Sequence, residues 1–252
     1  VANYKYDRNR LDIDRTSRLS PYLRFGVLSI RTCIENAENA KVDHPEALEH
    51  IDSWLNQLIW REFYHAILDA FPHVANFAFQ GKYDNVQYDN NESWFEAWCS
   101  GQTGFPIVDA AMRQLNESGW IHNRSRMIVA SFLTKDLLID WRWGERYFMN
   151  RLIDGDPANN NGGWQWAAGT GTDAQPYFRI FNPTLQGEKF DPHGNYVKRW
   201  LPELRNVPSK IIHRTDLPHK LTKDYPKPIV NHKERRVVAI ERYKEALQNL
   251  SQ

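Results

Sequence analysis

Four runs of this chain combine polar, charged and aromatic residues at spacings that can do chemistry. The first is Thr16-Ser17-Arg18-Leu19-Ser20-Pro21. Its hydroxyls, amides and guanidinium lie just ahead of a helix start expected at Pro21. The first amides of a helix lack intrahelical partners and attract phosphates. A plain helix cap, with Ser20 capping and Pro21 in the first turn, explains the same residues. Tyr4 and Arg8 lie upstream, four apart, and share a face if that stretch is helical.

The second run is Trp54-Leu55-Asn56-Gln57-Leu58-Ile59-Trp60-Arg61-Glu62-Phe63-Tyr64. Gln57, Trp60, Arg61 and Tyr64 fall on one helical face, with Trp54 at its edge. An amide, an indole, a guanidinium and a phenol together suit stacking on a base and holding a phosphate. A half-buried aromatic helix would look the same. In the third run, Trp120-Ile121-His122-Asn123-Arg124-Ser125-Arg126-Met127, Asn123 and Met127 share a face. Arg124 and Arg126 point elsewhere, and at least one can pair with a carboxylate. His122 reads as a satisfied core histidine. The fourth run opens Asp154-Gly155-Asp156-Pro157 and continues through Asn159-Asn160-Asn161 to Trp164-Gln165-Trp166. Asp-x-Asp spacing can ligate a metal, but no third carboxylate or histidine stands near. Hydrogen bonding to a ribose or a base edge is the expected role, and no metal site is expected.

The elements that must position these groups are helical. Apolar residues recur at Leu48, Ile51, Leu55, Leu58, Ile59 and Ile67, and Pro72 stops the run. Pro106 opens and Gly119 closes another helix, the usual asymmetry. The same period predicts helices over 123–138, 145–153, 29–40 and 233–250. No stretch alternates with period two. Residues 154–172, with five glycines and three consecutive asparagines, read as an ordered polar loop. Residues 201–230, rich in Pro, Lys and His, are expected to wrap the surface. The expectation is one all-α domain over residues 1–252.

Composition bounds the function. Hydrophobic residues make up 41% and charged residues 25%, as in a globular protein with a sizeable core. The net charge of +1 means that nucleic-acid binding would need a local basic stripe. Ten tryptophans in 252 residues are several-fold more than usual, and a Trp-rich core explains about half of them. The two cysteines, Cys33 and Cys99, read as free thiols. No apolar run approaches the roughly 20 residues that span a bilayer. Val1–Arg10 lacks the apolar stretch of a signal peptide, and Ser251-Gln252 carries no prenylation signal. A monomeric cytoplasmic protein without membrane partners is expected.

Taken together and in this order, the runs resemble one family. Thr-Ser-Arg-Leu-Ser-Pro, Trp-Arg-Glu-Phe-Tyr, Trp-Ile-His-Asn-Arg-x-Arg-Met and Asp-Gly-Asp-x-x-x-Asn-Asn-Gly-Gly-Trp-Gln-Trp look like the helical FAD domain of the photolyase/cryptochrome family. The resemblance is strongest to bacterial class I cyclobutane pyrimidine dimer photolyases. It extends through Phe178-Arg179-Ile180-Phe181-Asn182-Pro183 and the last helix. The family's N-terminal α/β antenna domain has no counterpart in the sequence, so no antenna chromophore can be inferred.

The resemblance implies a function and a set of roles. The activity is light-dependent repair of pyrimidine dimers in double- or single-stranded DNA, with FAD active as FADH⁻. It implies a bacterial cytoplasmic enzyme, beside the nucleoid. Tyr4, Thr16, Ser17, Arg18, Leu19 and Ser20 would hold the cofactor's phosphates. Trp54 would lie near the flavin. Asp154, Gly155 and Asp156 would contact its flavin and ribose side, with Arg126 as the ion-pair partner of Asp154. Asn160 would face flavin N5. Trp60 and Trp166 would stack on the flipped dimer. Gln57, Tyr64, Asn123 and Met127 would line that pocket, and Arg8, Arg61, Arg124 and Gln186 would contact DNA. A dimer is already poorly stacked, so flipping it costs less than flipping a normal base.

Trp164 and Trp141 would be the inner members of an electron-transfer chain. Tyr88 stands where its outermost tryptophan is expected, with Trp94 or Trp98 as substitutes. Gln57 stands where the bacterial enzymes carry a glutamate. Repair of the (6-4) photoproduct is the alternative that glutamine suggests. That reading also requires histidines where this chain has Asn123 and Met127. A light receptor without repair activity, or a helical DNA-binding module without cofactor, are the other readings.

Overall fold

The computed structural model describes residues 3–222 and 224–248. Twelve α-helices and short 3-10 turns build the described part, which contains no strand. The helices are α1 Tyr4–Asp7, α2 Ser20–Arg24, α3 Ile30–Asp43, α4 Leu48–Ala70, α5 Glu92–Ser100 and α6 Pro106–Ser118. They continue as α7 Asn123–Ser131, α8 Trp141–Arg151, α9 Pro157–Ala168, α10 Pro183–Phe190, α11 Asn195–Trp200 and α12 His232–Gln248.

Helix α6 is the hub. Nine of its residues are buried, and it touches α5, α7, α10 and α11. Pro106 starts it where a missing N–H costs nothing. Gly119 ends it in the left-handed region at φ 66°. Its buried carboxylate, Asp109, accepts from Thr103 N, Thr103 Oγ1, Gly104 N and Tyr225 Oη. Four donors offset the cost of burying that group. Burial still raises its pKa.

Four expectations need correction. Residues 154–172 are not a loop, because Pro157–Ala168 forms α9. Asp156 caps it by accepting from Asn159 N, Pro157 fills the first turn, and Gly169 closes it at φ 80°. The glycines that suggested a loop serve helix packing instead. A Cβ on Gly162 would lie 2.0 Å from the Tyr64 ring, so glycine is what lets α4 and α9 approach. The helix expected over 123–138 ends at Ser131, where a π-turn over Phe132–Asp136 follows and Leu138 adopts φ 48°. The shorter helix begins at Trp141, capped by Asp140, rather than at Glu145.

The segment 201–230 does more than wrap the surface. Leu201, Leu204, Val207 and Ile212 are buried in the main core. Its end is fixed by Ile229 N donating to Thr103 O. Helix α12 spans His232–Gln248, and the expected end at Leu250 lies outside the described residues. Of the ten tryptophans, Trp98, Trp141 and Trp164 are fully buried and Trp60 is exposed. The other six are half-buried.

Candidate functional site

Three segments meet around the start of α9. Arg126 on α7 reaches Asp154 with one nitrogen shared between both carboxylate oxygens, at 3.0 and 2.8 Å. Asp154 is buried and has that guanidinium as its ion-pair partner. Arg24, at the end of α2, donates to Gly155 O at 2.6 Å and stands 3.9 Å from Asp156. His65 on α4 lies 3.3 Å from Asp156 Oδ2, but its Nε2 is buried without hydrogen-bond geometry to any partner. Burial alone would raise the pKa of Asp156. The two hydrogen bonds from Asn159, with His65 and Arg24 behind them, leave it below the usual value.

The loop before α2 forms a second wall. Ser20 does not cap α2: Leu19 is the N-cap residue, no side chain caps it, and the helix has five residues. Arg18 adopts φ 50°, followed by Leu19 in the right-handed region. That alternation turns successive amides to one side, a shape that suits anions. The amides of Ser17, Arg18 and Leu19 donate to no acceptor among the described residues. Trp54 Nε1 donates to Ser17 Oγ at 3.3 Å and ties the loop to α4. The Arg18 side chain stacks on Trp120 at 4.7 Å and pairs with Asp14. A cleft of about 60 Å³ opens beside Thr16, Arg18, Trp120 and His122. Tyr4 lies on α1, where burial raises its pKa.

The exposed side of α4 carries the expected stripe. Trp60 packs against Tyr64 at 5.8 Å and Phe63 at 5.5 Å, and it remains 40% exposed. The Tyr64 phenol is pushed up to about 12, first by burial and then by Asp173. Gln57 is turned toward α1: its Oε1 accepts from Arg8 Nη2 at 3.4 Å and its Nε2 donates to Ser53 O. Arg61 is engaged by its neighbour Glu62 at 2.5 Å. Asn123 donates to the Met127 sulfur at 3.7 Å, so these two share a face as expected. Gln186 on α10 has a buried oxygen without a partner. Trp166 is half-buried on α9.

His122 departs from its expected role. Its Nδ1 caps α7 by accepting from Arg124 N, but Nε2 is buried without a partner. Burial first, then Arg124, Arg126 and Arg8, push it down to about 4, with only the Arg8 carbonyl working the other way. It is a neutral imidazole among three cations.

Asn160 donates from Nδ2 to Glu145 O at 3.0 Å, while its Oδ1 accepts nothing among the described residues. Trp164 meets Trp98 at 6.0 Å and Phe148 at 5.0 Å. Trp141 lies in the same core under the Arg142 guanidinium, and it forms no ring pair with Trp164 among the described residues. Tyr88 does not end at the surface. Its hydroxyl meets that of Tyr243 at 3.5 Å, and burial pushes its pKa well up.

Sequence reasoning missed the residues that hold others in place. Asn9, Ser53 and Phe190 contact Arg124 or Arg8, and Arg24 and His65 flank Asp156. His65 follows Arg61 by four residues, so the stripe could have revealed it. The Asp156-Pro157 pair was a legible helix start. No group of three or more potential metal ligands occurs among the described residues.

Fold and site define an all-helical domain with a cleft beside the 16–18 loop and an exposed aromatic stripe on α4. Residues 54–245 match the family described as the FAD binding domain of DNA photolyase. Over 98% of the chain, it is 54% identical to the deoxyribodipyrimidine photo-lyase of Escherichia coli. A class III photolyase from Agrobacterium tumefaciens superposes with a TM-score of 0.93 at 42% identity, over 98% of this chain and 52% of that one. A cryptochrome from Synechocystis superposes at 0.88 with 35% identity, over 95% and 51% of the two chains. The chain belongs to the FAD-binding-domain family of DNA photolyase. It spans about half the length of the curated relatives it matches, 53% in the case of Escherichia coli.

Proposed function

We propose that this chain is the flavin- and DNA-holding part of an enzyme that splits cyclobutane pyrimidine dimers with light. The observation that carries the reading is the Arg126–Asp154 pair at the capped start of α9, supported by the open amides of residues 17–19, tied to α4 through Trp54, and by the exposed Trp60 on that helix. Family membership gives that arrangement its meaning.

The residues fit FAD. Open amides at Ser17, Arg18 and Leu19, with Thr16, Ser20 and Tyr4, would hold its phosphates. Asp154, Gly155 and Asp156 would meet its flavin and ribose, and the unpaired His65 Nε2 leaves a donor beside them. Trp54 would border the flavin. The free Oδ1 of Asn160 would accept from flavin N5–H. When bound, the reduced flavin supplies the excited-state electron that opens the cyclobutane ring.

The other residues position the substrate. Trp60 and Trp166 would stack on the flipped dimer, with Tyr64, Asn123 and Met127 around it. Gln57 orients Arg8 before DNA arrives. Arg8 and Arg124 would hold phosphates, with Gln186 and Arg61 at the rim. Trp164, Trp141 and Tyr88 would carry electrons inward to oxidised flavin. The same reading has the chain work as one domain over residues 1–252 and as a monomer on single- or double-stranded DNA in a bacterial cytoplasm, beside the nucleoid. No described helix is long and apolar enough to cross a membrane.

Illumination of the reduced, flavin-loaded chain with a dimer-containing oligonucleotide tests the reading. Thymine absorbance should return in light and not in darkness. A dimer left intact by protein that holds reduced flavin would overturn it.

A further inference from the structure

Most cations around the site already have an anionic partner. Arg126 has Asp154, Arg61 has Glu62, Arg18 has Asp14 and Arg10 has Asp12. Arg8 and Arg124 stand apart, because neither forms an ion pair among the described residues. Arg124 is nonetheless firmly placed. Its Nη2 donates to Asn9 Oδ1 at 2.7 Å, and its guanidinium lies over the Phe190 ring at 4.3 Å. Its Nε is buried without a partner. Asn9 directly follows Arg8 in the chain, so the bond from Arg124 to Asn9 brings the two arginines into one neighbourhood; burial, then Arg8, lowers the Arg124 pKa. Arg8 is itself held by Ser53 Oγ at 3.1 Å and by Gln57.

A half-buried guanidinium with one neutral hydrogen bond is under-satisfied. Holding two guanidinium groups without anionic partners near each other costs repulsion that an arriving anion would relieve. Asn9 is the one side chain that accepts a hydrogen bond from the Arg124 guanidinium among the described residues, and it does so without cancelling the charge.

We infer that Asn9 is a positioning residue that, with the Phe190 ring, presents Arg124 beside Arg8 as one preorganised seat for a DNA phosphate. This rests on the proposed DNA-binding face. An amide is the suitable holder because a carboxylate in its place would form a salt bridge with Arg124 and remove it from the phosphate. An apolar residue would leave the charge but free the side chain. The two substitutions therefore separate charge from placement.

The test is dimer-oligonucleotide affinity as a function of salt, measured on the flavin-loaded chain and its Asn9→Asp and Asn9→Ala variants. Flavin absorbance and a thermal melt report their folding. Asn9→Asp should make the slope of log K against log salt shallower by about 0.9, the loss of one phosphate contact. Asn9→Ala should keep the slope and weaken binding about two- to tenfold, the cost of ordering a freed side chain. An unchanged slope in Asn9→Asp overturns the inference, as does identical behaviour of the two variants. Arg8→Ala serves as the control for the face itself. If it leaves the slope unchanged, the proposed DNA face fails, and Asn9 is not at fault.

Discussion

Arg124 and Arg126 stand two residues apart on α7 and meet opposite surroundings. Arg126 turns inward and shares its charge with the buried Asp154. Arg124 turns toward α1 and α10, where it finds an amide and an aromatic face but no carboxylate. The same residue type thus serves two regions. In the inner region the two aspartates before α9 each have a guanidinium within 4 Å: Asp154 with Arg126, and Asp156 with Arg24. In the outer region the charges are held in place yet left open. On the proposed function, the closed region would hold the cofactor in a fixed position and the open one would receive a polyanion that comes and goes. Between them sits His122, neutral, capping the helix that carries both arginines.

The contrast can be broken most severely from the inside. Asp154→Asn leaves Arg126 facing a neutral amide in a buried setting. A loss of about 3 kcal/mol in stability is expected, together with the bound flavin. Denaturant melts and flavin-to-protein absorbance read the two effects. A variant that keeps both would show that the pair is incidental.

His122 gives the next largest effect, and it depends on pH. Its folded pKa of about 4 lies below its ordinary 6.5. As pH falls, the unfolded chain takes up the proton first. Its contribution is therefore complete above about 6.5, is lost as pH drops, and levels off below about 4, a total of about 3 kcal/mol. His122→Asn keeps the cap and removes the titration. Its stability should change less between pH 6.5 and 4 than that of the parent. Parallel curves would place the acid sensitivity elsewhere.

Trp60→Ala sharpens the outer half. Losing a stacking aromatic should weaken dimer binding by about 1–3 kcal/mol while flavin stays bound. Loss of flavin would put Trp60 on the inner side. Arg61→Ala should have the smallest effect. Glu62 already balances that charge, so the salt slope should change by well under one unit. A full unit would mean that DNA displaces Glu62.

Much of this was legible in the sequence for physical reasons. The stripe at 57, 60, 61 and 64 follows from helical period alone, and so does the Asn123–Met127 pair. The residues themselves say only that one of Arg124 and Arg126 can pair with a carboxylate, and the family resemblance names Arg126 and Asp154 as the pair. The body of α9 was hidden despite its legible Asp156-Pro157 start, because glycine and asparagine are poor helix formers whose local preference was overridden by packing. Gly162 is helical because Tyr64 needs the space, a contact that joins positions 98 residues apart and leaves no local trace. The break at Ser131 is equally silent, since nothing between Phe132 and Asp136 is a helix breaker. The orientation of Gln57 toward Arg8, and the inward hydroxyl of Tyr88, depend on neighbours that only the fold brings near.

The most direct test of the two-region account compares Arg124→Ala with Arg126→Ala in parallel, reading flavin content and the salt slope of DNA binding for each. Arg124→Ala should retain its flavin and lose about 0.9 from the slope. Arg126→Ala should lose flavin, and any DNA binding it retains should keep the parental slope. If the two variants lose flavin alike, or if Arg126→Ala changes the slope and Arg124→Ala does not, the division between an inner closed region and an outer open one is contradicted.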